Sequence, residues 1–267
     1  MRKRTQADSG RREKVKELIS IARSAERYAA ELGVKPDIHL DDHIFRFLIE
    51  NQSFDCIDSA VRYYFQDALK STRNLKSILD ELQIRPAAGE LKQLEFASGY
   101  GCVTRHLKKE IPGLRSIACD IHDNAIAFLR ENLGVEAILS CRNPGDFKEG
   151  PFDVVFALSF FSHMPARTWA TWARALFDSV SEGGAFIFTT QGMKSAKFFG
   201  NPPIPADGFW FLPDSEQKDL DVADYGQTIV TENFARTKLR ECLGKEPDIF
   251  REGFWWEHQD LYIVRKP

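Results

Sequence analysis

Two glycines and one acidic residue are the groups in this sequence with the clearest chemical meaning. Gly99 and Gly101 lie in the run Ser98-Gly99-Tyr100-Gly101, and Asp120 follows nineteen residues after Gly101. Residues without a Cβ let the backbone approach a ligand closely, and the first N–H groups of a following helix can bind an anionic group. A carboxylate at this distance can accept hydrogen bonds from two vicinal ribose hydroxyls. The pattern therefore indicates a nucleotide-like ligand.

These groups depend on elements that bring them to one edge of a sheet. Apolar residues predict a strand over Leu91 to Phe96, then a helix ending at Ile111, then a second strand over Leu114 to Asp120. Ligands of such parallel units bind at the carboxyl ends of the strands. Thr104 stands where the dinucleotide fingerprint has its third glycine, which favours a nucleoside over a dinucleotide.

The pattern of strand and helix continues for most of the remaining sequence. Unbroken apolar strands between helices predict an α/β fold with a doubly wound, mostly parallel sheet covered on both faces. The predicted elements are a helix over Asn124 to Leu133 ended by Gly134, strands over Glu136 to Ser140 and Phe152 to Leu158, a helix from Trp169 to Val180, a strand over Ala185 to Thr190, a helix over Glu232 to Cys242, and strands over Asp248 to Trp256 and Gln259 to Val264.

Two segments lie outside this pattern. Residues 1–85 are predicted to form a helical extension or cap, with helices over Glu13 to Leu32, Ile57 to Leu69 and Leu75 to Leu82, followed by a linker at 86–89 that begins the core domain 86–267. Residues 192–230 lose regular periodicity and are rich in aromatic residues and proline. A segment of this length is usually a functional lid or insertion, and we expect part of it to form a β-hairpin over the site.

Composition limits the kinds of partner that the chain can have. The 267 residues carry a formal charge of −3, so clustered positive charge for a nucleic-acid backbone is not expected. The five cysteines contain no C-x-x-C pair, and neither a disulfide framework nor a metal site is expected. The sequence has no signal-peptide core and no stretch long enough to span a bilayer, so a cytoplasmic protein is predicted.

The order and spacing of four motifs resemble those of a known family. Over about Leu91 to Thr190, the sequence is similar to the class I S-adenosylmethionine-dependent methyltransferases. The motifs that carry the likeness are Leu94-Glu95-Phe96-Ala97-Ser98-Gly99-Tyr100-Gly101, Asp120, Phe152-Asp153-Val154-Val155-Phe156-Ala157-Leu158-Ser159 with His163-Met164-Pro165, and Glu182-Gly183-Gly184-Ala185-Phe186-Ile187-Phe188-Thr189.

The resemblance implies a cofactor, S-adenosylmethionine, and a set of residues around it. Glu95, Gly99 and Gly101 would surround its methionine part, Asp120 would bind the ribose, and Ser159 would lie near the donor methyl. The full implied set is Glu95, Ala97, Ser98, Gly99, Tyr100, Gly101, Asp120, Ile121, Ser140, Cys141 and Ser159, with Ser140 and Cys141 beside the adenine. The family usually has a glycine where this chain has Ala97. Because alanine tolerates a positive φ poorly, either Ala97 has ordinary backbone angles or the loop differs.

A methyltransferase of this type needs close positioning of nucleophile and methyl, and a hydroxyl acceptor also needs a base. His163 follows the fourth core strand and is the candidate general base. An imidazole here can instead orient the turn through a backbone hydrogen bond, and the sequence does not separate the two roles. His258 and Asp260 could line the acceptor pocket, although a solvated strand edge is the more common setting for such residues.

The sequence thus predicts a methyltransferase that acts on a small molecule, most simply by O-methylation of a sugar or another natural-product hydroxyl. Two other functions remain open at this stage. One is a nicotinamide-dependent oxidoreductase, against which Thr104 argues. The other is a non-catalytic binding or regulatory module on the same fold, which Ala97 favours, because a fold does not fix a function.

Overall fold

The computed structural model describes residues 2–50, 54–84, 89–215 and 217–267, with side chains from residue 13 onward. In these ranges the helices are α1 (Arg2–Leu32), α2 (His43–Glu50), α3 (Ile57–Leu82), α4 (Thr104–Glu110), α5 (Asp123–Phe128), α6 (Ala166–Asp178) and α7 (Glu232–Leu243). The strands are β1 (Leu91–Phe96), β2 (Leu114–Asp120), β3 (Glu136–Leu139), β4 (Phe152–Ala157), β5 (Val180–Gln191), β6 (Phe209–Leu212), β7 (Gln227–Val230), β8 (Ile249–Trp255) and β9 (Gln259–Arg265).

The sheet is parallel through its centre and antiparallel at one side. The strands β3, β2, β1, β4 and β5 lie side by side in that order and run in the same direction. Strand β9 then pairs antiparallel with β5, and β8 pairs antiparallel with β9. The predicted doubly wound, mostly parallel sheet is confirmed.

Strand β4 shows why this sequence needs a helical layer on both faces of the sheet. Its residues are all buried, and successive side chains point to opposite faces. Val154 and Phe156 pack with α3 and α4, whereas Val155 and Ala157 belong to the core formed with α6 and α7. An unbroken apolar strand of this kind is stable only where neither face meets water.

The N-terminal helices differ from the prediction in three ways, the first being that α1 begins at Arg2 rather than at Glu13. The patterns over Ile57 to Leu69 and Leu75 to Leu82 belong to one continuous helix, α3. Its sequence contains no glycine or proline, and the Thr72 hydroxyl donates a hydrogen bond to the Ala68 carbonyl within the helix. The short helix α2 was not predicted, because its eight residues give too few turns for a clear periodic pattern.

The cap and the sheet share one apolar core. Leu75 and Ile78, in the second half of α3, are buried against the same cluster as the sheet residues Val154 and Phe156. The first half of α3 instead packs with α1 and α2 around Tyr64 and other buried side chains. The predicted linker at 86–89 and the boundary at 85/86 lie almost wholly outside the described residues. Among the helices of the described ranges, none has both the length and the apolar character to cross a membrane.

The 192–230 segment leaves the sheet at the end of β5. A 3₁₀ helix over Met193–Phe199 is followed by the antiparallel hairpin of β6 and β7, in which Phe209 pairs with Val230. The predicted hairpin is confirmed. One pair, Gln191 with Ile229, joins β7 to β5, and Thr228 N–H donates to the Ser162 carbonyl at 2.8 Å. The insertion is therefore attached both to the sheet and to the turn that follows β4.

Candidate active site

A cavity of about 910 Å³ lies at the carboxyl ends of the parallel strands. Its walls come from the strand ends, from α2 through residues such as Phe47, and from the insertion through residues such as Phe198 and Tyr225. Pockets for small molecules usually measure about 300–1,000 Å³. The predicted site residues that line it are Ala97, Gly99, Tyr100, Asp120, Ile121, Ser140, Cys141, Ser159 and His163.

The turn after β1 has left-handed backbone angles at three positions. The φ angles are +57° at Ala97, +56° at Gly99 and +78° at Gly101. Ala97 thus adopts the conformation that glycine would hold without strain, so neither of the two alternatives considered from the sequence is needed: the turn keeps its left-handed angle with alanine in the glycine position. A Cβ on Gly99 would meet no atom within 4 Å, so its backbone is open towards a ligand.

Gly101 serves packing rather than the cavity wall. A Cβ at this position would lie 2.6 Å from Leu133 and 2.7 Å from Leu129, on the helical segment that follows β2. Those distances are shorter than any real contact, so only glycine allows α4 to begin this close to its neighbour. Gly101 itself does not line the cavity, whereas Gly99 and Tyr100 of the same turn do.

Glu95 and Ser98 lie beneath the turn instead of in the cavity wall. Glu95 is almost fully buried on β1, and its Oε2 has no hydrogen-bond partner among the described residues. Burial raises the pKa of Glu95 to about 8, because the charged form loses its hydration. A cationic group bound near this carboxyl would favour its ionised form.

Asp120 connects the glycine turn to the second strand. One oxygen accepts Gly99 N–H at 2.8 Å, and the other accepts the backbone N–H of His122 at 3.1 Å and faces His122 Nδ1 at 2.8 Å. A carboxylate has about four acceptor positions, and three of them are used here. Asp120 therefore offers one remaining position to a ribose hydroxyl, which is fewer than the two that the sequence alone suggests.

The residues predicted near the adenine lie together on the β2–β3 side. Ile121, Ser140 and Cys141 all line the cavity, and Ser140 N–H donates to the Asp120 carbonyl at 2.7 Å. Tyr100 forms the neighbouring wall, where its ring stacks on His39 with 4.5 Å between centroids. Burial raises the pKa of Tyr100 to about 12, so its hydroxyl stays protonated.

Ser159 belongs to a hydrogen-bonded group at the ends of β4, β5 and β9. Its N–H donates to Thr189 Oγ1 at 2.8 Å, and its hydroxyl accepts from Gln259 Nε2 at 2.8 Å. Thr189 in turn donates to Gln259 Oε1 at 2.8 Å. The group fixes Ser159, whose φ is +60°, at the floor of the cavity between the cofactor side and the insertion.

His163 has a defined orientation in the cavity wall. Its Nδ1 lies 2.8 Å from the Gly226 carbonyl, and its ring stacks on Tyr225 with 4.3 Å between centroids and 7° between planes. A carbonyl can only accept, so Nδ1 carries a proton. Both roles considered for His163, orienting the turn and supplying a base, are compatible with this geometry.

His258 is a second imidazole in the cavity wall, and the insertion holds it. Ser195 Oγ lies 2.9 Å from the His258 carbonyl and 3.0 Å from His258 Nδ1. The single hydroxyl proton goes to the carbonyl, so Nδ1 donates to Oγ and Nε2 bears the lone pair. Burial lowers the pKa of His258, which keeps it neutral.

Asp260 differs from the expectation of a solvated strand edge. It is 3% exposed and accepts Gly253 N–H at 2.8 Å, and burial raises its pKa to about 6. It faces the backbone of Gly192, where a Cβ would collide with its carboxylate, and it does not line the cavity. The strand is internal because β8 covers its outer edge, a pairing that the alternation of residues alone does not reveal.

Comparison with known proteins adds the family to this geometry. Residues 94–186 match the sequence model of a methyltransferase domain. A solved S-adenosylmethionine-dependent methyltransferase from Clostridium acetobutylicum ATCC 824 has the same fold, with a TM-score of 0.51 and 13% identity over 76% of this chain and 92% of that one. The chain therefore matches a methyltransferase domain over residues 94–186 and has the fold of solved S-adenosylmethionine-dependent methyltransferases.

Two other solved structures share the fold of this chain. The glycopeptide N-methyltransferase MtfA, in complex with S-adenosyl-L-homocysteine, has a TM-score of 0.52 and 13% identity over 74% of this chain and 87% of that one. The 1,6-didemethyltoxoflavin-N1-methyltransferase of Burkholderia thailandensis has a TM-score of 0.51 and 16% identity over 87% of this chain and 94% of that one. No curated protein sequence matches the chain.

The cavity fits S-adenosylmethionine, the cofactor of this class of methyltransferase. The open backbone at Gly99 gives room for the methionine part beside the turn, and Asp120 retains an acceptor position for the ribose. The orphaned Oε2 of Glu95 is a buried acceptor below the same turn. When bound, the cofactor supplies an electrophilic methyl group on a sulfonium.

Proposed function

We propose that this methyltransferase acts on a hydroxyl group of a small molecule, such as a sugar or another natural product. The observation that carries the proposal is His163, whose Nδ1 faces the Gly226 carbonyl at 2.8 Å while the residue lines the cavity beside Ser159. In this proposal the imidazole lies in the cavity wall where an acceptor hydroxyl would approach the donor methyl. Removal of a hydroxyl proton during transfer is the task that such a base performs.

The cofactor residues keep the roles that the family resemblance gives them. In this proposal the Gly99 backbone borders the methionine part, Asp120 binds the ribose, and Ser140 and Cys141 border the adenine. Ala97, Tyr100 and Ile121 form the wall between them. Glu95, Ser98 and Gly101 act from below, since they shape and support the turn without lining the cavity.

The shape of the acceptor space supports a small substrate of mixed polarity. Aromatic side chains from the insertion and Trp256 line the cavity together with polar groups such as Gln191 and Gln227. An acceptor with an apolar face and several hydroxyls would match both kinds of wall. MtfA and the toxoflavin methyltransferase are named for transfer to nitrogen. Amines are therefore the acceptors against which hydroxyl acceptors should be compared.

The proposal is tested by product formation with the purified protein. The protein is incubated with S-adenosylmethionine and pairs of acceptors that differ only in bearing a hydroxyl or an amine, and S-adenosylhomocysteine and methylated product are measured by mass spectrometry. We expect product with hydroxyl acceptors and, in His163→Ala, a fall in kcat that exceeds any change in cofactor affinity. Exclusive methylation of the amines, or unchanged turnover in His163→Ala, would contradict the proposal.

His258→Ala is the companion variant, because His258 also presents Nε2 in the cavity wall. A loss of kcat in His258→Ala with normal kcat in His163→Ala would move the role of the base to His258. Isothermal titration calorimetry with S-adenosylhomocysteine on both variants separates this result from a loss of cofactor binding.

A further inference from the structure

Two histidines and an aspartate from three separate segments meet beside the cofactor side of the cavity. His43 is the first residue of α2, His122 follows β2, and Asp219 lies in the insertion between β6 and β7. One ligating atom from each lies within 4.8 Å of the others. His122 Nε2 is 2.9 Å from Asp219 Oδ2, and His43 Nε2 is 3.8 Å from Asp219 Oδ1.

The structure fixes the orientation of the His122 imidazole and the position of the His43 backbone. His122 Nδ1 faces Asp120 Oδ1 at 2.8 Å, which places the proton on Nδ1 and the lone pair on Nε2, towards Asp219. His43 is held by the start of α2, where Asp42 accepts Phe45 N–H at 3.1 Å and Tyr64 Oη–H at 2.7 Å. Asp42 is itself 2% exposed. The orientation of the His122 ring is therefore set by Asp120 and not by Asp219.

The contact between His122 and Asp219 is incomplete without a positive charge. At 2.9 Å, Nε2 and Oδ2 would direct lone pairs at each other, and Nε2 has no partner in hydrogen-bond geometry among the described residues. A proton on Nε2 would give a hydrogen bond between His122 and Asp219, but it would not explain why the second imidazole, His43, faces the same carboxylate. A cation between the three groups would satisfy all of them at once.

We propose that His43, His122 and Asp219 bind a divalent transition-metal ion, such as Zn²⁺, that joins the cap helix α2, the core and the insertion. Two imidazole nitrogens and a carboxylate oxygen suit Zn²⁺, Co²⁺ or Ni²⁺ better than Mg²⁺ or Ca²⁺. Tetrahedral bonds of about 2.0–2.1 Å place ligand atoms roughly 3.3 Å apart. Here the imidazole nitrogens lie 2.9 Å and 3.8 Å from the two oxygens of Asp219, and the three ligand atoms lie within 4.8 Å of one another, so small side-chain movements would bring them to bonding positions. Water would complete the coordination.

The hydrogen bond from His122 to Asp120 supports this assignment. Histidines that bind a metal through one nitrogen commonly donate the other N–H to a carboxylate, which fixes the tautomer and increases the basicity of the ligand. Asp120 supplies that carboxylate at 2.8 Å. The same aspartate faces the cavity, so the proposed ion would lie next to the cofactor side of the site without touching the acceptor side. Its role is to join segments, and it is independent of the acceptor proposed above.

The test uses the full chain without an affinity tag, freed of metal with a chelator. Zn²⁺ binding is measured by calorimetry and Co²⁺ binding by visible absorbance, in which tetrahedral coordination gives intense bands. We expect one ion per chain, and affinity about tenfold or more lower in His43→Ala and in Asp219→Asn. Asp214→Asn, at an exposed position of the same insertion, is the matched control and should bind as the original chain does.

Circular dichroism of each variant shows whether its fold is kept. Because Asp219 is exposed, Asp219→Asn should disturb the fold less than His43→Ala does. Equal metal affinity in the original chain, His43→Ala and Asp219→Asn would overturn the proposal, since the ion would then be bound elsewhere, for example by cysteine. A metal-free protein that takes up neither Zn²⁺ nor Co²⁺ at concentrations well above its own would also overturn it. The cluster would then be an ion-paired contact that shares only a proton.

Discussion

Asp120 both holds the glycine turn and faces the cofactor side of the cavity. Asp120→Ala removes the acceptor for Gly99 N–H and for a ribose hydroxyl, so we expect cofactor affinity to fall by about 1.5–3 kcal/mol, the usual loss for hydrogen bonds to a charged group. Calorimetry with S-adenosylhomocysteine measures the change. Asp123→Ala, at the exposed start of α5, is the control. Equal affinity in both variants would remove Asp120 from the cofactor site.

Ala97 carries backbone strain that a single substitution can release. At φ +57° its Cβ costs about 1–2 kcal/mol, whereas glycine gains flexibility in the unfolded chain worth about 0.4–1 kcal/mol. Ala97→Gly should therefore raise the free energy of unfolding by up to about 1 kcal/mol, as measured by urea denaturation. Ala170→Gly, inside helix α6, should lower it by about 1 kcal/mol. A loss of stability in Ala97→Gly would show that its methyl group packs usefully.

The residues of the active site differ in how far their sequence could predict them. The glycine turn and Asp120 follow from a local pattern, because the strand, turn and helix that place them are consecutive. His43 and Asp219 could not be found in this way, since they reach His122 only after α2 and the insertion have folded over the core. His258 was considered for the pocket, but its contact with Ser195 depends on the 3₁₀ helix of the insertion.

At the scale of elements, Arg105 on α4 joins the cap to the core. Its guanidinium donates to the carbonyls of Lys35 and Asp37 at 3.0 Å and 2.9 Å and to Tyr64 Oη at 3.2 Å, and it is 8% exposed. These bonds fix the segment that leads from α1 to α2. The position of α2 over the cavity therefore depends on a residue of the core.

Arg105→Met keeps the aliphatic part of the side chain and removes these hydrogen bonds. We expect the free energy of unfolding in urea to fall by about 3 kcal/mol, because the part-buried carbonyls of Lys35 and Asp37 and the buried carbonyl of Gly101 lose a charged donor. Lys108→Met, at an exposed position of the same helix, should change it by less than about 0.5 kcal/mol. An equally small effect in Arg105→Met would mean that apolar packing alone holds the N-terminal helices on the core.

Elements of the core were predictable because their signals are local. Runs such as Phe152 to Leu158 are too apolar for a surface strand, and glycine or proline punctuates the turns between them. The prediction failed where tertiary contacts decide. Helix α3 continues through residues 70–74 because its second half is buried on the sheet, and α2 is stable because Phe45 and Leu48 are covered by α1 and α3.

For the whole molecule, buried Glu95 should make stability depend on pH. Its folded pKa of about 8 lies above the unfolded value of about 4.5, so the folded state holds a proton that the unfolded state releases between these pH values. Stability is therefore lost as pH rises through this window. Glutamine does not titrate, so Glu95→Gln should not lose stability in this way. The difference in unfolding free energy between the variant and the original chain should therefore increase by about 1.4 kcal/mol per pH unit in this window.

Urea denaturation at several pH values, without cofactor, measures this difference, and Glu90→Gln at the exposed residue before β1 is the control. A gain that does not change with pH would mean that the Glu95 carboxyl titrates normally in the folded chain.

The attachment of the insertion has a consequence for how this enzyme could change during evolution. The backbone carbonyl of Gly226, within the insertion, orients the ring of His163 on the core, and Tyr225 stacks on that ring. Any lengthening or shortening of the segment that admits a different acceptor would also turn the imidazole. Under the proposed role of His163 as the base, substrate choice and reaction rate are thus mechanically linked, and mutants selected for new acceptors should need compensating changes near residues 225–226 before they recover speed.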